Sequence, residues 1–164
     1  MPTILLITEI NAPVERCFDL SRSIDLHTLS TFRTGEEAIA GGTPPGRTRG
    51  LINLGETVTW RARHFGIRQT LTSRITEYRY PTGFCDEMVK GAFKSIRHEH
   101  RFAKEGDTTL MTDVFAFESP LGWLGHLFNY LVLTSYMKRF LLERNQMIKN
   151  FAESNQWQEI LREA

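Results

Sequence analysis

The sequence has few cysteines and no long hydrophobic run, and these two absences narrow the classes of protein it can belong to. Its two cysteines, Cys17 and Cys85, are too few for a disulfide framework and lack the spacing of a metal site, so a reduced compartment is expected. The densest apolar run, Leu127 to Leu133, is much shorter than the roughly 20 residues of a membrane span. We therefore predict no stable membrane insertion, and contact with a membrane surface is left as an alternative.

The N-terminus also lacks the features of a secretory signal. The segment MPTILLITEINAP carries no positively charged side chain before its apolar run, and that run is too short for a signal peptide. A cytoplasmic location is therefore predicted.

Neither sign of charge is in excess. The chain has 20 Lys and Arg against 19 Asp and Glu, which gives a formal net charge of +1, and the basic residues are scattered. Binding to nucleic acid is therefore not expected. The glycine-rich stretch from Gly41 to Gly46 lacks both GxGxxG and the lysine–serine ending of a phosphate loop, and the chain has no GxSxG nucleophile elbow.

The length of 164 residues suits a single domain, 1–164, with a substantial core. Thr3 to Ile10 is rich in β-branched residues and predicts a first strand, and Pro13 then suits the start of a short helix. A second short helix is predicted over Asp25 to Leu29, with Ser23 as its cap. Further strands are predicted over Glu36–Ala40, Glu56–Phe65, Ile67–Tyr78, Gly83–Lys90, Lys94–Lys104 and Thr108–Glu118. Most of their separators are short and none contains a helix, so the pairing should be antiparallel.

A single long helix is predicted from Pro120 to about Phe151. At 1.5 Å per residue it would be about 45 Å long. Apolar residues recur on one face at Trp123, Leu127, Tyr130, Met137, Phe140, Leu141, Ile148 and Phe151. Polar residues gather on the other faces at Lys138, Arg139, Glu143, Arg144, Asn145 and Lys149. Since nothing before it resembles a second helix of that length, its partner should be a curved sheet.

The front of this helix is apolar over nearly its whole circumference, which is more than one sheet can bury. The residues concerned are Leu121, Trp123, Leu124, Leu127, Phe128, Tyr130, Leu131, Val132 and Leu133. A cavity mouth, a homodimer contact or a membrane-facing patch would each account for the excess.

Several polar residues are predicted to face the interior of the sheet. His98 and His100 point the same way because they lie two apart on one strand. Asp86 shares a face with Phe84 and Met88 on one predicted strand, and Asp113 shares a face with Met111 and Phe115 on another. An unsatisfied polar group in a core costs roughly 1–3 kcal/mol. These inward-facing histidines and aspartates therefore indicate anchors in a ligand pocket, a structural His–Asp pairing, or an acid–base site in which Asp86 or Asp113 orients a histidine.

A metal or a covalent nucleophile is not expected from the sequence. Two histidines at i and i+2 can chelate one ion and a carboxylate could complete the set, but no third ligand has a diagnostic spacing. His64 and His126 stand alone in the sequence, and Cys85 has no recognisable base beside it. No metal and no cofactor are predicted.

The order of elements resembles the START-like, or SRPBCC, superfamily, which includes polyketide cyclase/dehydrase-like and lipid-transfer proteins. The resemblance covers almost the whole chain and is carried by ITEINAPVERCFDL, where a strand runs into the first helix, and by FCDEMVKGAFKSIRHEHRF followed by TTLMTDVFAFESPLGWLG. The second stretch is similar to the branch labelled cell-division-inhibitor-associated. The resemblance implies an α+β helix-grip fold, in which a curved antiparallel sheet of about seven strands wraps around a long C-terminal helix.

The resemblance further implies a hydrophobic cavity between the sheet and the last helix. Its wall would be formed by Leu124, Phe128, Leu131 and Met137 of the helix, with Trp60, Leu71, Phe84, Met88, His98, His100 and Phe115 of the strands. We expect a small hydrophobic ligand, lipid- or polyketide-like, whose polar end is held by His98, His100 and Asp86 or Asp113. Two other functions stay open. One is a cyclase, dehydratase or hydrolase that uses a cavity histidine as general base, and the other is an interaction protein that docks through the front of the helix.

Overall fold

The computed structural model describes residues 2–41, 45–119 and 132–162. The strands are β1 (Thr3–Ile10), β2 (Glu37–Ile39), β3 (Thr57–His64), β4 (Ile67–Arg79), β5 (Gly83–Lys90), β6 (Ser95–Glu105) and β7 (Thr108–Glu118). The helices are α1 (Val14–Ser21), α2 (Ile24–Ser30), α3 (Thr134–Glu153) and α4 (Trp157–Arg162). The strand bounds agree closely with those expected from alternation and turn residues.

All seven strands form one antiparallel sheet in the order β1-β7-β6-β5-β4-β3-β2. The sheet curls into a half-barrel that is closed on its concave side by the helices, as a helix-grip fold requires. Successive strands from β3 to β7 are neighbours, and β1 returns to pair with β7. The short turn between β3 and β4 places Phe65 and Gly66 at positive φ (51° and 76°), the conformation that suits the twist of a tight hairpin.

The two short helices follow β1 as predicted. Pro13 is the N-cap of α1, and the Ser23 side chain accepts a hydrogen bond of 3.2 Å from the backbone N–H of Leu26 at the start of α2. Phe18 of α1 is fully buried and lies edge-on to the rings of Tyr78, Tyr80, Phe84 and Phe102. These contacts hold the helices against one end of the concave face.

The described part of the long helix, α3, packs against β1, α1 and α2. Residues 120–131 lie outside the described residues, so the predicted start at Pro120 and the apolar front up to Leu131 lie there too. Within α3 the buried residues are Leu141, Arg144, Asn145, Ile148 and Ala152. The prediction that Arg144 and Asn145 lie on outer, polar faces is therefore wrong, because both side chains have polar partners in the interior.

A short helix, α4, follows α3. Helix α4 was not predicted; it packs against α1, where the guanidinium of Arg16 lies 4.4 Å from the centre of the Trp157 ring. Among the described residues, no helix is long and apolar enough to cross a membrane.

Candidate functional site

A cavity of about 600 Å³ lies between the concave face of the sheet and the helices. This volume is within the range of small-molecule sites in proteins, roughly 300–1,000 Å³. Most of the wall is apolar, and its apolar residues include Ile24, Ile52, Val58, Trp60, Ala62, Leu71, Ile75, Phe84, Ile96, Phe115, Leu133, Met137, Phe140 and Leu141. The interior is therefore hollow along much of the sheet, which composition alone could not determine.

One part of the wall carries a polar cluster, which consists of Asp86, His98, His100, Asp113 and Arg144. Strand pairing brings its members together, since Asp86 of β5 lies opposite His98 of β6, and His100 lies opposite Asp113 of β7. The two imidazole rings lie side by side, with centroids 3.8 Å apart and planes tilted by 42°. The inward orientation that strand periodicity predicted for Asp86, His98, His100 and Asp113 is confirmed.

Asp113 is fully buried and contacts both histidines with the same oxygen. Its Oδ1 lies 2.9 Å from Nε2 of His98 and 2.8 Å from Nδ1 of His100. Its Oδ2 accepts a hydrogen bond of 2.7 Å from Nδ2 of Asn145 on α3. Asp113 therefore orients the His98 ring by a hydrogen bond and lies against the His100 ring, and it is itself held by the helix.

Asp86 lies on the opposite side of the two rings and contributes to the cavity wall. Its Oδ1 is 3.3 Å from Nε2 of His100 and 3.9 Å from Nδ1 of His98. Its side chain is 24% exposed, whereas that of Asp113 is 0% exposed, so Asp86 is the carboxylate that a molecule in the cavity can reach.

The two histidines differ in protonation. Burial, together with the neighbouring His100, lowers the pKa of His98 to about 4, so its ring is neutral at pH 7. Burial also opposes a charge on His100, but the contacts with Asp113 and Asp86 outweigh it and raise the pKa of that ring. Although burial would raise the pKa of both carboxyls, contacts with the histidines hold the pKa of Asp113 well below its usual range and lower that of Asp86.

These protonation states determine which ring nitrogens donate hydrogen bonds. A carboxylate can only accept, so the neutral His98 donates from Nε2 to Asp113 and keeps a lone pair on Nδ1, the atom that faces Asp86. His100 faces a carboxylate oxygen with each of its nitrogens.

Arg144 of α3 lies at the edge of this cluster and on the cavity wall. Its Nη2 donates a hydrogen bond of 2.8 Å to the backbone oxygen of Ser21, and its Nη1 lies 3.7 Å from Oδ1 of Asp113. Nη1 is buried and has no hydrogen-bond partner among the described residues. It is a donor available to a molecule in the cavity, because burial of an unpaired guanidinium N–H is otherwise unfavourable.

Two more histidines line the cavity away from the cluster. His27 lies 3.4 Å from Glu36 and packs against the Trp60 ring at 4.1 Å between centroids. His64 makes a hydrogen bond of 2.7 Å between its Nδ1 and the Tyr136 hydroxyl. His64 therefore does not stand alone, because the fold supplies a partner 72 residues further along the chain.

The structure places most of the predicted site residues that it describes on the cavity wall. Those that line it are Trp60, Leu71, Phe84, Asp86, His98, His100, Phe115 and Met137. Asp113 lies behind the histidines, and Met88 packs with a second group of core residues that includes Phe115 and Phe117. Leu124, Phe128 and Leu131 lie outside the described residues. The role of all these residues in ligand binding stays a prediction.

Sequence reasoning missed Arg144, Asn145, His27 and Tyr136. The helical pattern assigned Arg144 and Asn145 to a solvent-exposed helix face, because such a pattern does not show whether a polar residue has a buried partner. Cys85 is not a competent nucleophile, because burial raises the pKa of its thiol to about 12.

Solved structures of the same fold cover nearly the whole chain. TTHA0849 from Thermus thermophilus matches with a TM-score of 0.68 at 16% identity, over 90% of this chain and 97% of that one. Ginseng major latex-like protein 151 from Panax ginseng matches with a TM-score of 0.67 at 19% identity, over 93% of this chain and 98% of that one. Ms6760 from Mycobacterium smegmatis matches with a TM-score of 0.61 at 16% identity, over 91% and 89% of the two chains.

No protein-family model matches the chain, and no curated protein matches it. Similarity at these identities shows the fold and does not assign a function. The protein thus has a helix-grip fold with a cavity between its sheet and its C-terminal helix.

Proposed function

We propose that this protein binds a small hydrophobic molecule, of lipid or polyketide type, in the cavity between the sheet and α3. The observation that carries the proposal is a cavity of about 600 Å³ with a mainly apolar wall and one buried polar cluster. Binding sites for small molecules have this combination, in which apolar surface provides affinity and a few polar groups fix orientation. Removal of apolar surface from water contributes about 2.5 kcal/mol per 100 Å².

The polar end of the ligand lies against Arg144, Asp86 and the two histidines. Nη1 of Arg144 is a free donor on the wall, and Asp86 presents a partly exposed carboxylate. A ligand with a hydrogen-bond acceptor at one end, such as a carboxylate or carbonyl oxygen, satisfies the guanidinium while its apolar part fills the cavity. We expect His98→Ala to weaken such binding about five- to tenfold, since a neutral hydrogen bond contributes about 1–1.5 kcal/mol.

The test is native mass spectrometry of the protein purified from its own host, followed by denaturing extraction of any bound molecule. We expect a mass increment that disappears on denaturation and an extracted molecule that is apolar with one polar end. Recovery of a wholly hydrophilic molecule would contradict the proposal.

A pair of matched variants tests whether the cavity is the binding site. Ala62 is buried on the cavity wall, and Ala103 is exposed on the outer face of β6. We expect Ala62→Phe to abolish the mass increment by filling the cavity and Ala103→Phe to keep it. Retention of the ligand by folded Ala62→Phe would place binding elsewhere.

A second candidate function is catalysis, because two histidines of opposite protonation preference lie side by side on the cavity wall. A pKa of about 4 makes His98 a weak general base at neutral pH, so binding ranks ahead of catalysis. Turnover of a bound molecule that is lost in His98→Gln while the molecule still binds would reverse this order.

Docking through the front of the long helix is a third proposal, and it depends mostly on residues outside the described part. Of its described members, Val132 is exposed and Leu133 is buried. We expect Leu127→Glu to abolish any homodimer or complex without unfolding the domain, and persistence of the assembly would exclude this surface.

A cytoplasmic location and membership of the branch labelled cell-division-inhibitor-associated also stay proposals. Both cysteines are free, in keeping with a reduced compartment.

A further inference from the structure

Three side chains of the polar cluster point ligand atoms at one another from two neighbouring strands. The side chains are Asp86, His98 and His100, and their ligand atoms all lie within 4.8 Å of one another. We propose that Nδ1 of His98, Nε2 of His100 and Oδ1 of Asp86 bind one divalent transition-metal ion at the polar end of the cavity. The sequence shows two of these ligands next to each other, and strand pairing supplies the third.

The distances between the ligand atoms suit an ion at their centre. Bonds of 2.0–2.1 Å to a tetrahedral ion place neighbouring ligand atoms about 3.3 Å apart. Oδ1 of Asp86 lies 3.3 Å from Nε2 of His100 and 3.9 Å from Nδ1 of His98. A movement of Asp86 by about half an ångström therefore brings its oxygen to this distance from both nitrogens, and its partly exposed side chain on the cavity wall has room to move.

The buried carboxylate of Asp113 orients His98 as a metal ligand requires and lies beside His100. Metal-binding histidines usually donate their second ring N–H to a carboxylate or carbonyl, which turns the other nitrogen toward the ion. Nε2 of His98 makes this hydrogen bond to Oδ1 of Asp113, at 2.9 Å. Nδ1 of His100 lies 2.8 Å from the same oxygen but is not aligned to donate to it. Asn145 holds Asp113 in place through its hydrogen bond of 2.7 Å. His98 thus has the supporting contact of a preformed site, and His100 lies beside the same carboxylate.

The charges of the cluster also favour a cation at this point. Asp86 and Asp113 are two carboxylates in or near the interior, and Arg144 supplies one positive charge close to them. The three groups together carry a net charge of −1, and this excess of negative charge attracts a cation to the cluster.

Two nitrogen ligands and one oxygen ligand select the class of ion. Mg²⁺ and Ca²⁺ prefer oxygen ligands throughout, whereas imidazole suits Zn²⁺, Fe²⁺, Co²⁺ and Ni²⁺. Three protein ligands on one side leave the remaining coordination positions open, and these face the cavity that Asp86, His98 and His100 line. The ion can therefore bind an oxygen of the molecule in the cavity.

The experiment is a titration of the full chain, stripped with a chelator and free of organic ligand, with Zn²⁺ in a calorimeter and with Co²⁺ by visible absorption. We expect one ion per chain and the d–d bands of Co²⁺ with nitrogen and oxygen ligands. Asp86→Asn and His98→Gln should each lower the affinity at least tenfold, since even changes to the residues that support metal ligands cost about 10–100-fold.

His64→Gln is the matched control, because His64 lines the same cavity but lies outside the cluster and is paired with Tyr136. It should bind both ions as the unchanged chain does. Circular dichroism checks that each variant is folded. If His98→Gln does not fold, Asp86→Asn decides the matter, since its side chain is partly exposed and keeps its shape.

Two results would overturn the proposal. One is the absence of binding of Zn²⁺ and Co²⁺ to the folded protein, and the other is affinity that Asp86→Asn leaves unchanged. Because no organic molecule is present in the titration, its failure would leave the proposed hydrophobic ligand untouched, and a failure to find that ligand would leave the metal site standing.

Discussion

Nδ2 of Asn145 donates a hydrogen bond of 2.7 Å to Oδ2 of Asp113, which joins α3 to the middle of β7. Both residues are almost completely buried, at 1% and 0% exposure. Because the charged acceptor is buried, loss of this donor leaves it short of a partner and should be costly. This contact fixes α3 to the polar cluster at Asn145.

Asn145→Leu should therefore lower the free energy of unfolding by about 1.5–3 kcal/mol, the range for a hydrogen bond to a charged group. Leucine has a similar size and leaves the Asp113 carboxylate without its partner from the helix. Urea unfolding measures the change. Gln146→Leu, one residue further along on the exposed face, is the control and should change little. Equal losses of unfolding free energy in the two variants would mean that the buried Asn145–Asp113 hydrogen bond does not stabilise the fold.

Arg144→Met should reduce the preference of the cavity for molecules with an anionic end. Displacement of the neutral fluorescent probe N-phenyl-1-naphthylamine by decanoate and by decan-1-ol measures this preference. Loss of a charge-assisted hydrogen bond should weaken decanoate about 10-fold or more and decanol less. Arg139→Met removes an exposed arginine of the same helix and should change neither. An equal loss for the two competitors would contradict the role assigned to Nη1 of Arg144.

His64 should make folding stability depend on pH below neutrality. Burial lowers its pKa in the folded protein, and the Glu36 charge offsets this only in part. Since the unfolded chain then binds more protons, the contribution of neutral His64 is complete above about pH 6.5 and is lost as the pH falls below it. The difference in unfolding free energy between the native chain and His64→Gln should therefore be larger at pH 7.5 than at pH 5. The titration of the other ionisable groups is common to both proteins and cancels in this difference. A difference that stays constant or grows on acidification would refute the effect.

Ser23→Ala should cost about 1 kcal/mol by removing the N-cap of α2, whose oxygen accepts the N–H of Leu26. Thermal unfolding followed by circular dichroism measures the loss. Ser30→Ala in the last turn of the same helix is the control, because the Ser30 hydroxyl donates to the His27 oxygen and caps no free N–H. A larger loss at Ser30 than at Ser23 would show that the cap is not the stabilising contact.

The sheet could be predicted from the sequence because each strand has alternating residues and a recognisable turn at its ends. His98 and His100 were expected to face inward because two residues on a strand share a face, and the register confirms it. Strand bounds at Gly83, Lys90, Thr108 and Glu118 agree with the structure for the same reason.

The helix side of the site could not be predicted in this way. A helical pattern assigns Arg144 and Asn145 to solvent because they are polar, and only their contacts with Ser21 and Asp113, far away in sequence, reverse this. The cavity is equally invisible, since the same apolar residues could fill the interior or leave it hollow. Helix α4 depends on contacts with α1, and its six residues carry no pattern of their own.

The register of β5, β6 and β7 implies that relatives of this protein tolerate length changes very unevenly. One residue inserted into the turn at Gly106 and Asp107 leaves Asp86 opposite His98 and His100 opposite Asp113. One residue inserted between His98 and His100 moves one of the two rings to the outer face of the sheet. Gaps in an alignment of genes that keep this site should therefore fall in the turns, and a single-codon deletion within β6 should remove the site even though no member of the cluster is substituted.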